Sequence, residues 1–454
     1  MARKPPKEPL IAIIGATGTG KSQLAVSLAQ RFNGEIINGD AMQLYAGLPI
    51  ITNKVTAEEQ QGIPHHLLGC IGLAEQTWVV GTFVRRALNV IDEIRARGKL
   101  PILVGGTHYY TQSLLFHDRL AAQERDEVNG DDQHDERAQW PILEQPTEVL
   151  LEELTKVDPA MADRWHPKDR RKIQRSLEIY LKTGLRASEV YAEQRLRKGV
   201  QTTGTGAVEC EMMLNGPAMR SPTLLFWVSA ETDVLRERLD GRVDKMLDTG
   251  LLDEVRTLNA YADAEALAGT PVDETRGIWV SIGYKEFKGY VHALESGGHT
   301  EKELEKMKAD ALERTQIATR QYAKRQVRWI RIKLLNALSE AGASDALYLL
   351  DGSEVANFGS SVVEPATELA KAFLEASPRP RPQEISPVAA ELLRAKREYD
   401  ISAQPDRWSK QHCDTCDVTC VIEEQWAQHV RSKAHRKLVS RRKKQVLDGS
   451  GGAV

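Results

Sequence analysis

The sequence predicts an α/β fold: a parallel sheet with helices on both faces, an inserted helical unit, and a small Cys/His module at the end. Three observations predict it. Short apolar runs of strand length, "LIAII" (10–14), "LPILV" (100–104) and "TLLFWVS" (223–229), alternate with helical patterns. A strongly charged helical stretch over 147–200 interrupts that alternation. A proline-rich tract, "SPRPRPQEISP" (377–387), precedes a tail of different composition.

Residues 10–14 read as the first buried strand, and a glycine-rich loop then opens a helix over 21–32. The second strand, Glu35–Asn38, ends at Gly39 and Asp40. A helix covers about 78–97 and stops at Gly98, a residue suited to a helix C-terminus. The strand that follows ends in Gly105 and Gly106. Residues 118–139 are polar and acid-rich, which predicts a surface loop. After the 223–229 strand, Leu235, Leu239, Val243 and Leu247 recur every four residues as a core-facing stripe, with Arg238 and Arg242 beside it. A helix over 313–331 carries Arg320, Lys324, Arg328 and Arg331 as a basic face. The proline-rich tract predicts an extended linker.

A chain of 454 residues with 41% hydrophobic content can bury more than one core. Its net charge of −3 averages unlike regions: Arg431 to Lys444 holds eight Lys or Arg, and no carboxylate lies between Gln425 and Leu447. Five cysteines in this length make no disulfide framework. Cys70 and Cys210 are scattered, Cys413, Cys416 and Cys420 cluster, and a reducing compartment is expected. No stretch approaches the roughly 20 apolar residues of a membrane span, and the N-terminus has no signal-peptide run. These features predict a cytoplasmic protein, with mitochondrial or nuclear pools left open.

Chemistry begins at "GATGTGKS". Gly15, Ala16, Thr17, Gly18, Thr19, Gly20, Lys21 and Ser22 satisfy G-x-x-x-x-G-K-[ST] between a strand and a helix, so the sheet is of P-loop type. Inward-pointing N–H groups, a helix N-terminus and a mobile cation make this a phosphate cradle. No apolar strand ends in the acid pair expected of a nucleotide hydrolase. In open parallel sheets, ligands bind beyond the carboxyl ends of the strands. The loop, Asp40 and Thr107 should therefore converge. A carboxylate opposite a phosphate cradle could bind Mg²⁺, act as a general base, or cap a helix as a solvated loop residue. Thr107 offers a hydroxyl to the same phosphate or serves only as a turn residue.

The tail carries an independent signal. Cys413-x2-Cys416, then twelve residues, then His429-x5-His435, is a Cys₂His₂ spacing that suits tetrahedral Zn²⁺. His412 is a weaker alternative ligand and Cys420 a spare thiol, while Trp408 and Trp426 could supply a small core. The basic helix to Lys444 points to nucleic acid through counterion release, with "RRKK" as a competing nuclear-localisation run. His65 and His66 read as structural or as part of a substrate pocket, and His108 and Tyr109 as packing near the site.

"GATGTGKS", "INGDAMQLYAGLPIITNK", "GIPHHLLG", "PILVGGTHYY", "GRVDKMLDTGLLDEV" and "TRQYAKRQVRWI" occur in that order over residues 11–331. Together they resemble the tRNA dimethylallyltransferase (tRNA isopentenyltransferase) family. The "PIITNK" and "GGTHYYTQ" variants, with the C-terminal finger, resemble its eukaryotic, fungal branch. The resemblance implies transfer of a dimethylallyl group from dimethylallyl diphosphate to the exocyclic N6 of the adenine 3′ to the tRNA anticodon. It implies that the loop, Thr107 and Arg242 hold the diphosphate with Mg²⁺, and that Asp40 takes the amine proton. The base would be flipped out of the anticodon stem-loop to reach them. It further implies tRNA contacts from Asp40, Ala41, Met42 and Gln43, from Arg171, Lys172, Ile173, Gln174 and Arg175, and from Arg320, Lys324 and Arg328.

The expected organisation is a prenyltransferase core over 1–117 and 205–375, an inserted tRNA-binding unit over 118–204, a linker over 376–405, and a zinc finger with basic tail over 406–447. A monomer is expected. Two other enzymatic readings share the loop: an adenylate isopentenyltransferase and a P-loop small-molecule kinase. Neither uses the insert or the finger. An RNA-binding adaptor with a decayed loop is opposed by the intact Lys21, Ser22, Asp40, Thr107 and Arg242.

Overall fold

Strands β1 (Leu10–Ile14), β2 (Gly34–Asn38), β3 (His65–His66), β4 (Leu100–Val104), β5 (Thr223–Ser229) and β6 (Leu347–Asp351) form one parallel sheet in the order β3-β2-β4-β1-β5-β6. The computed structural model describes residues 4–116, 140–199, 218–395 and 408–449, the last residues of the second and fourth ranges (194–199 and 443–449) by backbone alone. The acid-rich stretch 118–139, Cys210 and residues 396–405 lie outside them.

Helices α1 (Lys21–Arg31), α2 (Ala57–Gln60), α3 (Val80–Ala96) and α4 (His108–Leu115) connect the first strands. The inserted segment contains α5 (Thr147–Val157), α6 (Pro159–Arg164), α7 (Arg170–Thr183) and α8 (Ala187–Gly199). The chain then returns through α9 (Thr232–Asp248), α10 (Leu251–Leu267), α11 (Tyr284–Ser296), α12 (Glu301–Trp329), α13 (Leu335–Glu340), α14 (Glu364–Leu374) and α15 (Pro387–Leu392). The tail folds as β7 (Trp408–Cys413), β8 (Val418–Ile422), α16 (Glu423–Arg431) and α17 (Lys433–Gly449).

The short apolar runs form strands because both faces of the sheet are buried, which leaves no polar alternation to read. Leu10, Ala12 and Ile14 of β1 join Leu103, Leu225 and Trp227 in one layer, against which α3 packs Phe83, Ala87 and Ile91. Ile11 and Ile13 point the other way, to Leu24 and Leu28 of α1 and Ala366 and Leu369 of α14. All connections end at the same edge, so the segments after β1, β2, β4 and β5 meet there.

Two compact units result: residues 1–120 with 217–397, and residues 121–216 with 398–454. The second unit has its own core, with Leu150 and Leu154 of α5, Met161 of α6, and Ile173 and Leu177 of α7. The finger belongs to this unit instead of standing apart as a tail. Arg164 of α6 lies 3.4 Å from the ring centre of Trp408 on β7, and Lys410 donates to the Ala162 carbonyl.

Three expectations are corrected. The tract expected as an extended linker is so only over 377–381; from Pro382 it turns helical. Ser386 caps α15 and Pro387 starts it, while Ala389 and Leu393, one helical turn apart, bury in the core of the first unit. The helix expected over 313–331 begins twelve residues earlier at Glu301, where a Thr300–Glu303 capping box starts it. It then ends at Trp329 in a π-turn over Ile330–Leu334. Finally, β3 and β6 extend the sheet beyond the strands read from sequence.

β3 also settles the two histidines. Its His66 Nε2 is 2.6 Å from Glu35 at the head of β2, which Arg97 (2.6 Å) and Lys99 (2.9 Å) also hold. Burial pushes Glu35 up, but these partners outweigh it and bring its pKa down to about 2. A depressed carboxylate stabilises the fold above its unfolded pKa and loses that effect as pH falls through the folded value. Glu35→Gln should therefore lower urea stability at pH 7 by about 1–2 kcal/mol. The gap between the two proteins should shrink between pH 4.5 and about 2. A gap that is constant with pH would show that the cluster contributes through shape alone.

Candidate active site and metal centre

The loop after β1 turns where no side chain fits. Gly15 has φ +146°, and a Cβ there would lie 2.3 Å from the Val228 carbonyl oxygen of β5. Helix α1 starts at Lys21 without a side-chain cap, so the N–H groups of its first turn remain directed into the loop. Thr19 is buried and donates to the Ala16 carbonyl, and the Lys21 ammonium donates to the same oxygen at 2.6 Å. Ser22 is exposed at the mouth of the loop.

Asp40 is held from both sides of its peptide. Its N–H donates to Asn38 Oδ1 at 2.9 Å, and its Oδ1 accepts from the Met42 N–H at 3.0 Å. Asn38 Nδ2 in turn donates to the carbonyls of Asp40 and Leu67. Oδ2 is thereby aimed at Gly106, where a Cβ would come within 2.7 Å of it. The Thr107 hydroxyl accepts from the Ala41 N–H at 3.0 Å and is bonded by Tyr322 of α12. Arg242 of α9 closes the site, donating to the Thr17 hydroxyl at 2.7 Å. Gln326, also on α12, accepts from the Thr17 N–H at 2.8 Å and donates to the Gly106 carbonyl at 2.9 Å.

The electrostatics follow from burial of unlike charges together. Burial lowers Lys21 to about 8, with Asp40 opposing the shift and Arg242 adding to it. Burial brings Arg242 down to about 10, again opposed by Asp40. Burial raises Asp40 above its ordinary 3.8, against the pull of the Met42 N–H and of Lys21. His108, buried beside this group, is pushed to about 3 and is a neutral imidazole at pH 7. A carboxylate with raised basicity thus faces two cations and a ring of N–H donors. That set can hold a departing anion on one side while accepting a proton on the other.

In the second unit, Cys413, Cys416, His429 and His435 bring one ligand atom each to within 4.8 Å of the others. His435 Nδ1 lies 3.6 Å from Cys413 Sγ and 3.4 Å from Cys416 Sγ. A zinc tetrahedron has edges of about 3.4–3.8 Å from its usual bond lengths. His429 Nε2 is buried without a hydrogen-bond partner among the described residues, as a ligand nitrogen awaiting a metal would be. The set fits a metal ion. His412 stands outside it, bonded to Thr419. Cys420 is buried in β8 as finger core.

The IPP transferase family model matches residues 43–333. The chain belongs to this family. It is 37% identical over 452 residues to a tRNA dimethylallyltransferase of Schizosaccharomyces pombe, covering 97% of this chain and 96% of that one. It is 35% identical to the human tRNA dimethylallyltransferase, covering 96% of this chain and 87% of that one. A solved structure of a eukaryotic dimethylallyltransferase acting on tRNA superposes with a TM-score of 0.74 at 33% identity, covering 98% of this chain and 99% of that one.

Within this IPP transferase the expected residues Lys21, Asp40, Thr107 and Arg242 do come together. The RNA-contact expectations fare less evenly. Ile173 is buried in the core of its unit, because position 173 faces Leu177 one turn on; it has no surface to offer. Arg171 and Lys172 are exposed, Gln174 is half-buried, and Arg175 pairs with Glu178. Arg320 is drawn to Asp240 of α9, so the basic face of α12 is carried by the exposed Lys324 and Arg328. Met42 packs on the core, and Gln43 holds the Asn53 carbonyl. Sequence reading missed Asn38, Tyr322 and Gln326. The spacing of buried small residues Ala311, Thr315, Thr319 and Ala323 was the available signal that α12 has an inward face.

Two outcomes are expected. Binding of inorganic diphosphate, measured by calorimetry, should weaken as pH rises through about 8, because Lys21 loses its charge there. Lys21→Arg should hold its affinity above pH 9, and a wild-type affinity flat from pH 7 to 9 would remove Lys21 from the anion site. In the finger, elemental analysis should find about one metal ion per protein chain, lost in Cys413→Ser. Equal metal content in the two proteins would overturn the ligand assignment.

Proposed function

We propose that this protein transfers a dimethylallyl group from dimethylallyl diphosphate to N6 of the adenine 3′ to the tRNA anticodon. The observation that carries it is the Asp40 carboxylate set against Lys21 and Arg242 at the ends of the strand loops. Family membership and the tRNA-acting relatives support the acceptor.

The bond between the allylic carbon and the diphosphate oxygen breaks, and a bond from N6 to that carbon forms. Lys21, Arg242 and the loop N–H groups receive the charge that develops on the leaving diphosphate. Asp40 accepts the N6 proton as the amine becomes substituted. Thr107 accepts from the Ala41 N–H, and its own hydroxyl proton would donate to a diphosphate oxygen. Mg²⁺, held with Ser22 and the diphosphate, would neutralise charge on the leaving group. Zinc at the four finger ligands would fold the tail and present the basic helix α17 to the tRNA stem. The protein acts as a monomer.

Labelled dimethylallyl diphosphate with Mg²⁺ and unmodified tRNA should yield label on the tRNA and none on AMP. Label on AMP alone would reject a tRNA acceptor, and phosphoryl transfer from ATP to a small molecule would support a kinase. Asp40→Asn should bind tRNA within about twofold of wild type and lose about 100-fold or more in single-turnover transfer. Wild-type turnover in that variant would dismiss Asp40 as the base.

A further inference from the structure

Helix α12 has two faces with different jobs. Lys324 and Arg328 face solvent. Tyr322 and Gln326, one turn apart on the opposite side, face the reacting loops. Gln326 is 4% exposed and uses both ends of its amide on backbone. Its oxygen takes the Thr17 N–H of the phosphate loop at 2.8 Å, and its nitrogen gives to the Gly106 carbonyl of the turn after β4 at 2.9 Å. These two loops follow different strands and are joined here by a single side chain.

The same amide adjoins the base. A Cβ on Gly106 would lie 2.6 Å from Gln326 Nε2 and 2.7 Å from Asp40 Oδ2, so both groups crowd the one face that glycine leaves open. Thr17 is consequently gripped at two points: its N–H by Gln326 and its hydroxyl by Arg242. Tyr322 extends the brace to Thr107, which holds the Ala41 N–H next to Asp40. A buried amide with both ends satisfied is fixed in orientation, and replacing one end leaves a backbone group unpaired.

We propose that Gln326 is a positioning residue that sets the distance between the leaving-group loop and the Asp40 base, with Tyr322 as its second strut. The inference rests on the transferase reading above. It assigns to the motif "TRQYAKRQVRWI" an inward function besides the RNA contacts expected of its basic residues. Misplacement of reacting groups by about 1 Å is enough for a 100-fold loss, so the brace acts on rate and leaves RNA affinity alone.

The test compares Gln326→Met and Gln326→Glu with wild type in the full chain. Gln326→Met keeps the volume and loses both hydrogen bonds. Single-turnover transfer should fall about 10- to 100-fold with tRNA affinity within twofold of wild type. Amide hydrogen exchange over residues 15–22 and 105–107 should speed up in the same variant, a readout that needs no catalysis. Gln326→Glu places a second carboxylate beside Asp40 and should move the acid limb of the transfer profile to higher pH, which loss of packing would not do. Transfer within twofold of wild type in both variants would overturn the proposal. So would slowed transfer with unchanged exchange in the two loops. If wild-type protein transfers no prenyl group at all, the transferase reading fails, and the exchange measurement still decides whether Gln326 braces the loops.

Discussion

The structure turns on one unfavourable placement: a half-buried carboxylate at the mouth of an anion cradle. Asp40 stands where a phosphate loop, Lys21 and Arg242 have gathered positive potential, and burial raises its pKa despite that company. Left alone, such a group would neutralise itself or pull the cations out of place. The surrounding fold prevents both. Asn38 and the Met42 N–H fix the carboxylate, Arg242 is tied to Thr17, and Lys21 is tied to the Ala16 carbonyl. Each charge is held by a backbone or hydroxyl partner, so none collapses onto another.

That arrangement explains why the site needs so much of the chain. The loop after β1 supplies the cradle, the segment after β2 the carboxylate, the turn after β4 the hydroxyl, and α9 the second cation. A parallel sheet brings three of these to one edge by topology. Helix α12 touches both the phosphate loop and the β4 turn from outside the sheet, through Gln326. Glycine is required at Gly15 and Gly106 for opposite reasons: one turns the backbone, the other leaves room for Asp40 and Gln326 to approach.

Much of this was legible in the sequence because it depends on local rules. The strands read as unbroken apolar runs, and the phosphate loop and the Cys₂His₂ spacing are dictated by ligand geometry. Asp40 and Thr107 could be placed by their positions just beyond strand ends. What escaped depends on which way a side chain points. Gln326 sits among Arg325, Arg328 and Lys324, and the charge pattern marks only the basic face of the helix. Ile173 was read with its basic neighbours although its turn-on partner Leu177 marks it as core. The two-residue strand at His65–His66 carries no apolar pattern at all; its backbone pairs with Ile36 and Ile37 of β2, where Glu35 also meets His66. The finger's spacing marks its four clustered Cys and His side chains, but nothing in that spacing tells that Trp408 lies under Arg164 of the inserted helices.

The central claim is that Asp40 is a base whose affinity for a proton is set by burial against two cations. The pH dependence of the single-turnover transfer step tests it most directly. The account predicts an acid limb with its midpoint above 3.8, the ordinary value for an aspartate side chain. A transfer rate that stays flat as pH falls through the carboxylate range would contradict it.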